Sequence, residues 1–136
     1  MDFLKSIAIA ASGLRAQAGR MRIISENIAN ADSTAPTNGS EPYRRKIPTF
    51  TSEIDRALEA RTVALGAVKS DQTEFRLKHE PGHPAADVNG NVKYPNVNSL
   101  VEMTDLREAQ RSYEANINVI TASRRMIQRT IEILKS

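Results

Sequence analysis

Apolar and small side chains recur along the first thirty residues at Leu4, Ile7, Ala11, Leu14, Ala18, Met21, Ser25 and Ile28. Alternating steps of three and four hold these positions on one helix face, the spacing of a coiled-coil seam. The pattern predicts one helix from Phe3 to about Asn30, about 40 Å long at 1.5 Å per residue. Asn30, which tolerates a left-handed cap, and the turn formers from Asp32 to Ser40 predict where it stops. A second seam runs through Met103, Leu106, Gln110, Tyr113, Ile117, Ile120, Arg124, Ile127, Ile131 and Leu134, widened by Val119, Met126 and Ile133. Ser99 and Glu102 have capping-box spacing at its start, the serine oxygen taking a free backbone N–H while the carboxylate reaches back. Glu102, Asp105 and Glu108 come early and Arg124, Arg125, Arg129 and Lys135 late, as the helix dipole favours.

Between the seams the period changes. Thr73 to His79 alternates, with Phe75 and Leu77 on one side and charges on the other, and predicts a half-buried strand. Tyr43 to Phe50 predicts a second, with Pro48 marking an edge or an end. Ile54 and Leu58 predict a short helix from Ser52 to Arg61, and Asn89-Gly90 predicts a tight hairpin turn with both residues at positive φ. The expected fold is therefore mainly α. Two long terminal helices, in residues 1–31 and 99–136, form a coiled-coil-like core, and residues 32–98 form a small middle segment rich in β-hairpins. Such helices close either on each other within one chain or against helices of neighbouring chains.

Composition narrows the function classes. At 136 residues the chain is the size of one domain, and an aromatic fraction of 4% without Trp leaves little for a large closed core. The absence of Cys excludes disulfides, thiolate metal sites and a cysteine nucleophile, and does not fix a compartment. A net charge of +3 and the runs Arg44-Arg45-Lys46 and Arg124-Arg125 raise the question of nucleic acid. The basic residues are interspersed with Asp and Glu, and aromatic partners for base stacking are scarce, so solvated helix faces are the expectation and no nucleic-acid partner. The apolar run Ile7 to Ala11 is too short for a signal-peptide core and merges into the seam, which predicts no cleaved signal.

Catalytic constellations are missing from the pattern. There is no phosphate loop, nucleophile elbow or helical zinc motif. His79 and His83 are four apart, but Pro81 and Gly82 keep them off a common helix face, so no metal is expected. Asp71, Glu74, Glu80 and Asp87 lie near turns with nothing in the sequence to bury them, so neither enzymatic activity, nor a cofactor, nor a small-molecule substrate is expected. An assembly subunit and a cytoplasmic coiled-coil adaptor remain open on these grounds.

Specific strings carry a resemblance. The first helix holds Ser12-Gly13-Leu14-Arg15-Ala16-Gln17 and closes on Ser25-Glu26-Asn27-Ile28-Ala29-Asn30-Ala31-Asp32. The middle holds Glu80-Pro81-Gly82-His83-Pro84-Ala85-Ala86-Asp87-Val88-Asn89-Gly90, then Pro95-Asn96-Val97-Asn98, and the last helix holds Arg111-Ser112-Tyr113-Glu114-Ala115-Asn116. In this order they resemble the signature of the bacterial flagellar rod and hook axial proteins, and the middle strings resemble its proximal-rod branch. The matching positions are Ser12, Gly13, Asn27, Asn30, Pro81, Gly82, Pro84, Asp87, Gly90, Pro95, Asn96 and Asn116, while Asn91 stands where the family often has an aromatic residue.

The resemblance implies a structural subunit of the proximal rod of the flagellar basal body, polymerising through its terminal helices into a hollow, torque-transmitting drive shaft. It implies export by the flagellar type III apparatus without a cleaved signal peptide, and assembly in the periplasm. The implied partners are further copies of the chain, other rod proteins and the basal-body base. On this reading the subunit interface comprises Leu4, Ile7, Leu14, Met21 and Ile28 on the first helix. On the second it comprises Leu106, Tyr113, Ile117, Ile120, Ile127, Ile131 and Leu134.

Overall fold

The computed structural model describes residues 2–136. Helix α1 (Phe3–Ala29) is followed by strands β1 (Lys46–Ile47), β2 (Phe50–Asp55), β3 (Ala60–Leu65), β4 (Lys69–Ser70), β5 (Arg76–His79) and β6 (Asn91–Tyr94), then by helix α2 (Ser99–Lys135). The strands form antiparallel two-stranded ribbons, β1 with β4, β2 with β3 and β5 with β6. The fold is mainly α, as the two seams predict, with a small strand-containing middle. A two-stranded ribbon is marginal by itself and needs other elements against it. The chain divides into two compact units, one of residues up to Met21, Thr49–Ala67 and Arg107–Ser136, the other of Arg22–Pro48 and Val68–Leu106.

In the first unit α1 and α2 run antiparallel, since Gly13 lies against Asn116 while Arg20 pairs with Glu108 at 3.4 Å. Small residues allow the approach: Ala10, Ala16 and Ala109 are buried, and a Cβ on Gly13 would come within 2.7 Å of the Asn116 amide nitrogen. A different face of α1 receives β3. There Ser12 Oγ donates to the Ile9 carbonyl at 2.6 Å and accepts the Val63 N–H at 3.2 Å.

The short helix expected from Ser52 to Arg61 does not form. β2 and β3 pair in register from Phe50 opposite Leu65 to Asp55 opposite Ala60, and the intervening turn places Glu59 at φ 50°. The Asp55 carboxylate closes that turn by accepting the Ala57 and Leu58 amides at 2.9 and 3.3 Å. Two apolar positions at helical spacing are outweighed by β-branched residues at Thr51, Ile54, Thr62 and Val63 and by a turn-forming aspartate.

The second unit has its own core of Ile23, Ile24, Ala31, Ala35, Val92, Tyr94 and Val97. α1 stops where Asn30 predicts, by another device. Asn30 keeps negative φ, and its side-chain amide donates to the Glu26 carbonyl at 2.9 Å. α2 also starts on schedule, but the cap is Asn98, whose Oδ1 accepts the Leu100 and Val101 amides at 3.1 and 3.4 Å. Asparagine caps as well as serine does. The expected Ser99–Glu102 box is absent because Glu102 turns into the interior.

Strand β5 falls inside the predicted Thr73–His79 stretch, yet its four residues are all exposed, Leu77 at 62%. Its link to β6 is not a two-residue hairpin. Only Gly90 in the Asn89-Gly90 pair has positive φ, at 80°. The Asp87 carboxylate organises the loop by accepting the Asn89 and Asn91 amides at 2.8 and 2.9 Å. Of the predicted Tyr43–Phe50 strand Lys46–Ile47 pair as β1, Pro48 ends that pairing, and Phe50 already belongs to β2.

Candidate assembly surfaces and the motif residues

None of the twelve predicted interface side chains is fully buried within the chain. Leu4, Ile117, Ile131 and Leu134 are 68%, 41%, 46% and 81% exposed, and the other eight are half-buried. On α1 the face turned to α2 runs through Ala10, Gly13, Ala16 and Arg20, not through Leu14, Ala18 and Met21. That is a rotation of about one residue, or about 100°. On α2 the buried and half-buried positions include the line Glu102, Leu106, Ala109, Tyr113, Asn116, Ile120, Ser123 and Ile127. This line keeps Leu106, Tyr113, Ile120 and Ile127 of the predicted seam. It replaces Met103, Gln110, Ile117 and Arg124 by the residue before each. The chain closes its own contact with small residues of α1 and a mixed line of α2, and leaves Leu4, Ile117, Ile131 and Leu134 beside that contact, partly in solvent. The small residues at Ala10, Gly13 and Ala16, three apart, were the available signal.

In the second unit the motif residues build a polar lock. Asn27, fully buried, treats the backbone of Lys46 as a strand would, its Oδ1 accepting the Lys46 N–H at 2.9 Å and its Nδ2 donating to the Lys46 carbonyl at 2.8 Å. Asn27 Oδ1 also accepts the Tyr43 hydroxyl at 2.7 Å, and Nδ2 reaches Glu102 Oε2 at 3.3 Å. Glu102 is 1% exposed and takes the Arg45 Nε–H, while Arg45 Nη1 reaches Asp71 at 3.2 Å. Asn96 accepts the Arg45 backbone N–H at 2.8 Å and donates to the Asp71 and Thr73 carbonyls at 3.0 and 3.2 Å. A buried carboxylate left without these donors would cost several kcal/mol, so the lock stands or falls as a whole. Sequence reasoning missed Tyr43, Arg45 and Glu102, because a buried charge looks like a surface charge until its partner is located.

The lock perturbs its own members. Burial first, then the charges of Glu26 and Glu102, push the Tyr43 phenol up to about 12. Asp71 is held below its ordinary carboxylate value, chiefly by the Thr73 backbone N–H, with Arg45 adding to the effect against partial desolvation. Among the described residues Glu80, Asp87 and His83, near the turns, are engaged in structural hydrogen bonds. Glu80 accepts the Tyr94 hydroxyl at 3.0 Å, and Asp87 is occupied with loop amides. His83 binds Thr34 Oγ1 at 3.2 Å through Nε2 and accepts the Ala85 N–H at 3.0 Å through Nδ1. Among the described residues no three His, Asp or Glu side chains are grouped to hold a metal, and no helix is long and apolar enough to cross a membrane.

The remaining motif positions divide by role. Ser12, Gly13 and Asn116 lie in the first unit's helix and ribbon contacts, so that two strings a hundred residues apart in the chain meet at Gly13 and Asn116. Pro95 is fully buried, and Pro81, Gly82 and Pro84 are exposed on the 80–90 loop.

Comparison with known proteins gives this geometry a context. Residues 7–35 match the family described as flagella basal body rod protein, and residues 88–133 match the C-terminal family of flagellar basal body rod FlgEFG proteins. Over 137 aligned residues, covering all of this chain and 99% of the relative, the sequence is 52% identical to the flagellar basal-body rod protein FlgC of Agrobacterium fabrum. The chain belongs to the FlgC family of flagellar basal-body rod proteins. FlgC of Salmonella typhimurium is 39% identical over 98% of each chain, and FlgC of Bacillus subtilis is 36% identical over 99% of this chain and all of the relative. FlgC proteins are structural rod components, not an enzyme family, and the two family matches contain Asn27, Asn96 and the Gly13–Asn116 pair.

Proposed function

We propose that this FlgC-family chain is a subunit of the proximal rod, polymerising through α1 and α2 into a hollow shaft that transmits torque. The supporting observation is the apolar surface left beside the chain's own helix contact. Leu4, Ile7, Leu14 and Met21 on α1, and Ile117, Ile131 and Leu134 on α2, lie at coiled-coil spacing and keep part of their surface in water. An open helical array needs one surface of a subunit to meet a different surface of the next, and two such lines per chain provide them. Neighbours are further copies, other rod proteins and the basal-body base. The chain reaches its periplasmic site through the flagellar type III export apparatus as an unfolded substrate, without a cleaved signal peptide.

The chain has no Cys, which makes the proposal directly testable. Single cysteines at Leu4, Ile117 and Leu134 should react readily with a maleimide in the purified chain and be protected in isolated basal bodies, while one at exposed Glu74 reacts in both. Equal labelling of the three seam positions in both states would contradict the proposal.

A further inference from the structure

The chain contains two Asn-Gly pairs, Asn38-Gly39 in the loop between α1 and β1 and Asn89-Gly90 in the loop between β5 and β6. In such a pair the glycine nitrogen can attack the asparagine side-chain carbon, because no Cβ stands in the way, provided both groups are free to turn toward each other.

The two pairs are held very differently. Asn38 and Gly39 are both exposed, and a Cβ added to Gly39 would meet nothing within 4 Å. Among the described residues neither the Gly39 N–H nor the Asn38 side chain has a hydrogen-bond partner. The turn around them is closed only by long contacts between Thr37 and Ser40, at 3.4 Å through the backbone and 3.4 Å between the hydroxyls. Gly90, in contrast, is buried. Its N–H donates to the Asp87 carbonyl at 3.0 Å, and its own carbonyl accepts the Glu80 N–H at 2.8 Å. The Asp87 carboxylate holds the amides on either side, those of Asn89 and Asn91.

We propose that Asn38 is a site of spontaneous covalent modification in the folded chain, and that Asn89, in the same dipeptide, is protected. The Gly39 nitrogen gives up its proton to solvent base and bonds to Asn38 Cγ, the Cγ–Nδ2 bond breaks, and ammonia leaves. Water then opens the resulting succinimide ring at one of its two carbonyls, leaving aspartate or isoaspartate at position 38. One water enters and one ammonia departs, with no oxidant, reductant or enzyme required. At Asn89 the same ring closure needs a nitrogen that is buried and already donating, so the loop must open first.

The product carries a carboxylate in place of an amide and lowers the net charge of +3 by one. The new carboxylate joins Glu41 and Asp87 on the rim of a cavity lined also by Lys93. Because Asn38 makes no hydrogen bond and lies outside the core, its conversion changes the charge of this rim without loosening the fold.

Incubation of the purified chain in water enriched in heavy oxygen, at mildly alkaline pH with and without urea, tests the assignment. Tryptic peptides 23–44 and 79–93 separate the two pairs, and heavy oxygen marks conversion that occurred during the incubation. Without urea, Asn38 should take up label about tenfold faster than Asn89, since the Gly90 hydrogen bond and the burial of its amide must be lost before reaction there. In urea the two rates should converge. Asp87→Ala should raise the Asn89 rate severalfold and leave the Asn38 rate as it was. Asn38→Asp should leave the thermal midpoint unchanged. Equal rates at the two sites without urea, or faster labelling at Asn89, overturns the assignment. An Asn89 rate that ignores Asp87→Ala overturns the protection by that loop, and a lowered midpoint in Asn38→Asp overturns the harmlessness of the change.

Discussion

Asn27 shows how a single side chain can fix a segment that has little regular structure to hold it. Its amide offers one acceptor and one donor to the Lys46 backbone, so Asn27→Asp loses the donor and sets a second negative charge beside Glu102. Loss of a buried bond together with an unpaired charge should lower stability by about 3 kcal/mol, measurable by urea unfolding of the purified chain. Tyr43 and Asp71 give the lock a pH signature. Because the folded-state phenol is raised to about 12 from 10.0, its contribution is complete below pH 10 and is lost as pH rises through 12. Because the folded-state Asp71 carboxyl is lowered from 3.8, its contribution is present above that pH and is lost as pH falls through the depressed value. Tyr43→Phe should flatten the alkaline loss and Asp71→Asn part of the acid loss in unfolding curves taken across pH. The sequence strings made Asn27 and Asn96 legible as motif positions but not their roles, since neither Arg45 nor Glu102 is paired until residues far apart in the chain are brought together.

At the scale of elements, the long periodic segments were legible and the short ones were not. Twenty-seven and thirty-seven residues of seam define α1 and α2 beyond ambiguity. Their caps were misread because Asn98 and Asn30 act through side chains rather than through the expected box and left-handed turn. The β2–β3 ribbon was read as helix because two apolar residues four apart fit either period. Gly90 was placed in the right turn for half the right reason: its φ of 80° is real, and an added Cβ would meet His79 Cε1 at 2.9 Å and Pro81 Cγ at 3.1 Å. Gly90→Val should therefore cost about 2 kcal/mol and impair motility, with the thermal midpoint and swim-plate diameter as readouts. The end of α2 should behave differently from its middle. From Gln128 to Ser136 every residue is exposed, so its amides should exchange rapidly in the isolated chain and be protected in isolated rods. Slow exchange there in the monomer would mean that the segment does not wait for a neighbour.

For the whole molecule, the central claim is that partly exposed apolar residues beside the intramolecular helix contact build the rod. The seams are apolar lines in the sequence, but the sequence does not assign which face of each helix the chain keeps for itself. Small residues carry little hydropathy, and buried Ala10, Gly13, Ala16 and Ala109 are what allow the close approach there. Ile131 and Leu134, 46% and 81% exposed, are the cleanest test because neither is buried within the chain. In an assembled rod each would lose about 1.5–3 kcal/mol of apolar burial on substitution, and a carboxylate there would add several more. The measurement is motility, secreted protein and isolated basal bodies from cells carrying only Ile131→Asp, Leu134→Asp, with Glu114→Ala as control. The account predicts normal secretion, a motile control, and non-motile double-mutant cells whose basal bodies lack a completed rod; motile double-mutant cells with intact rods would contradict it.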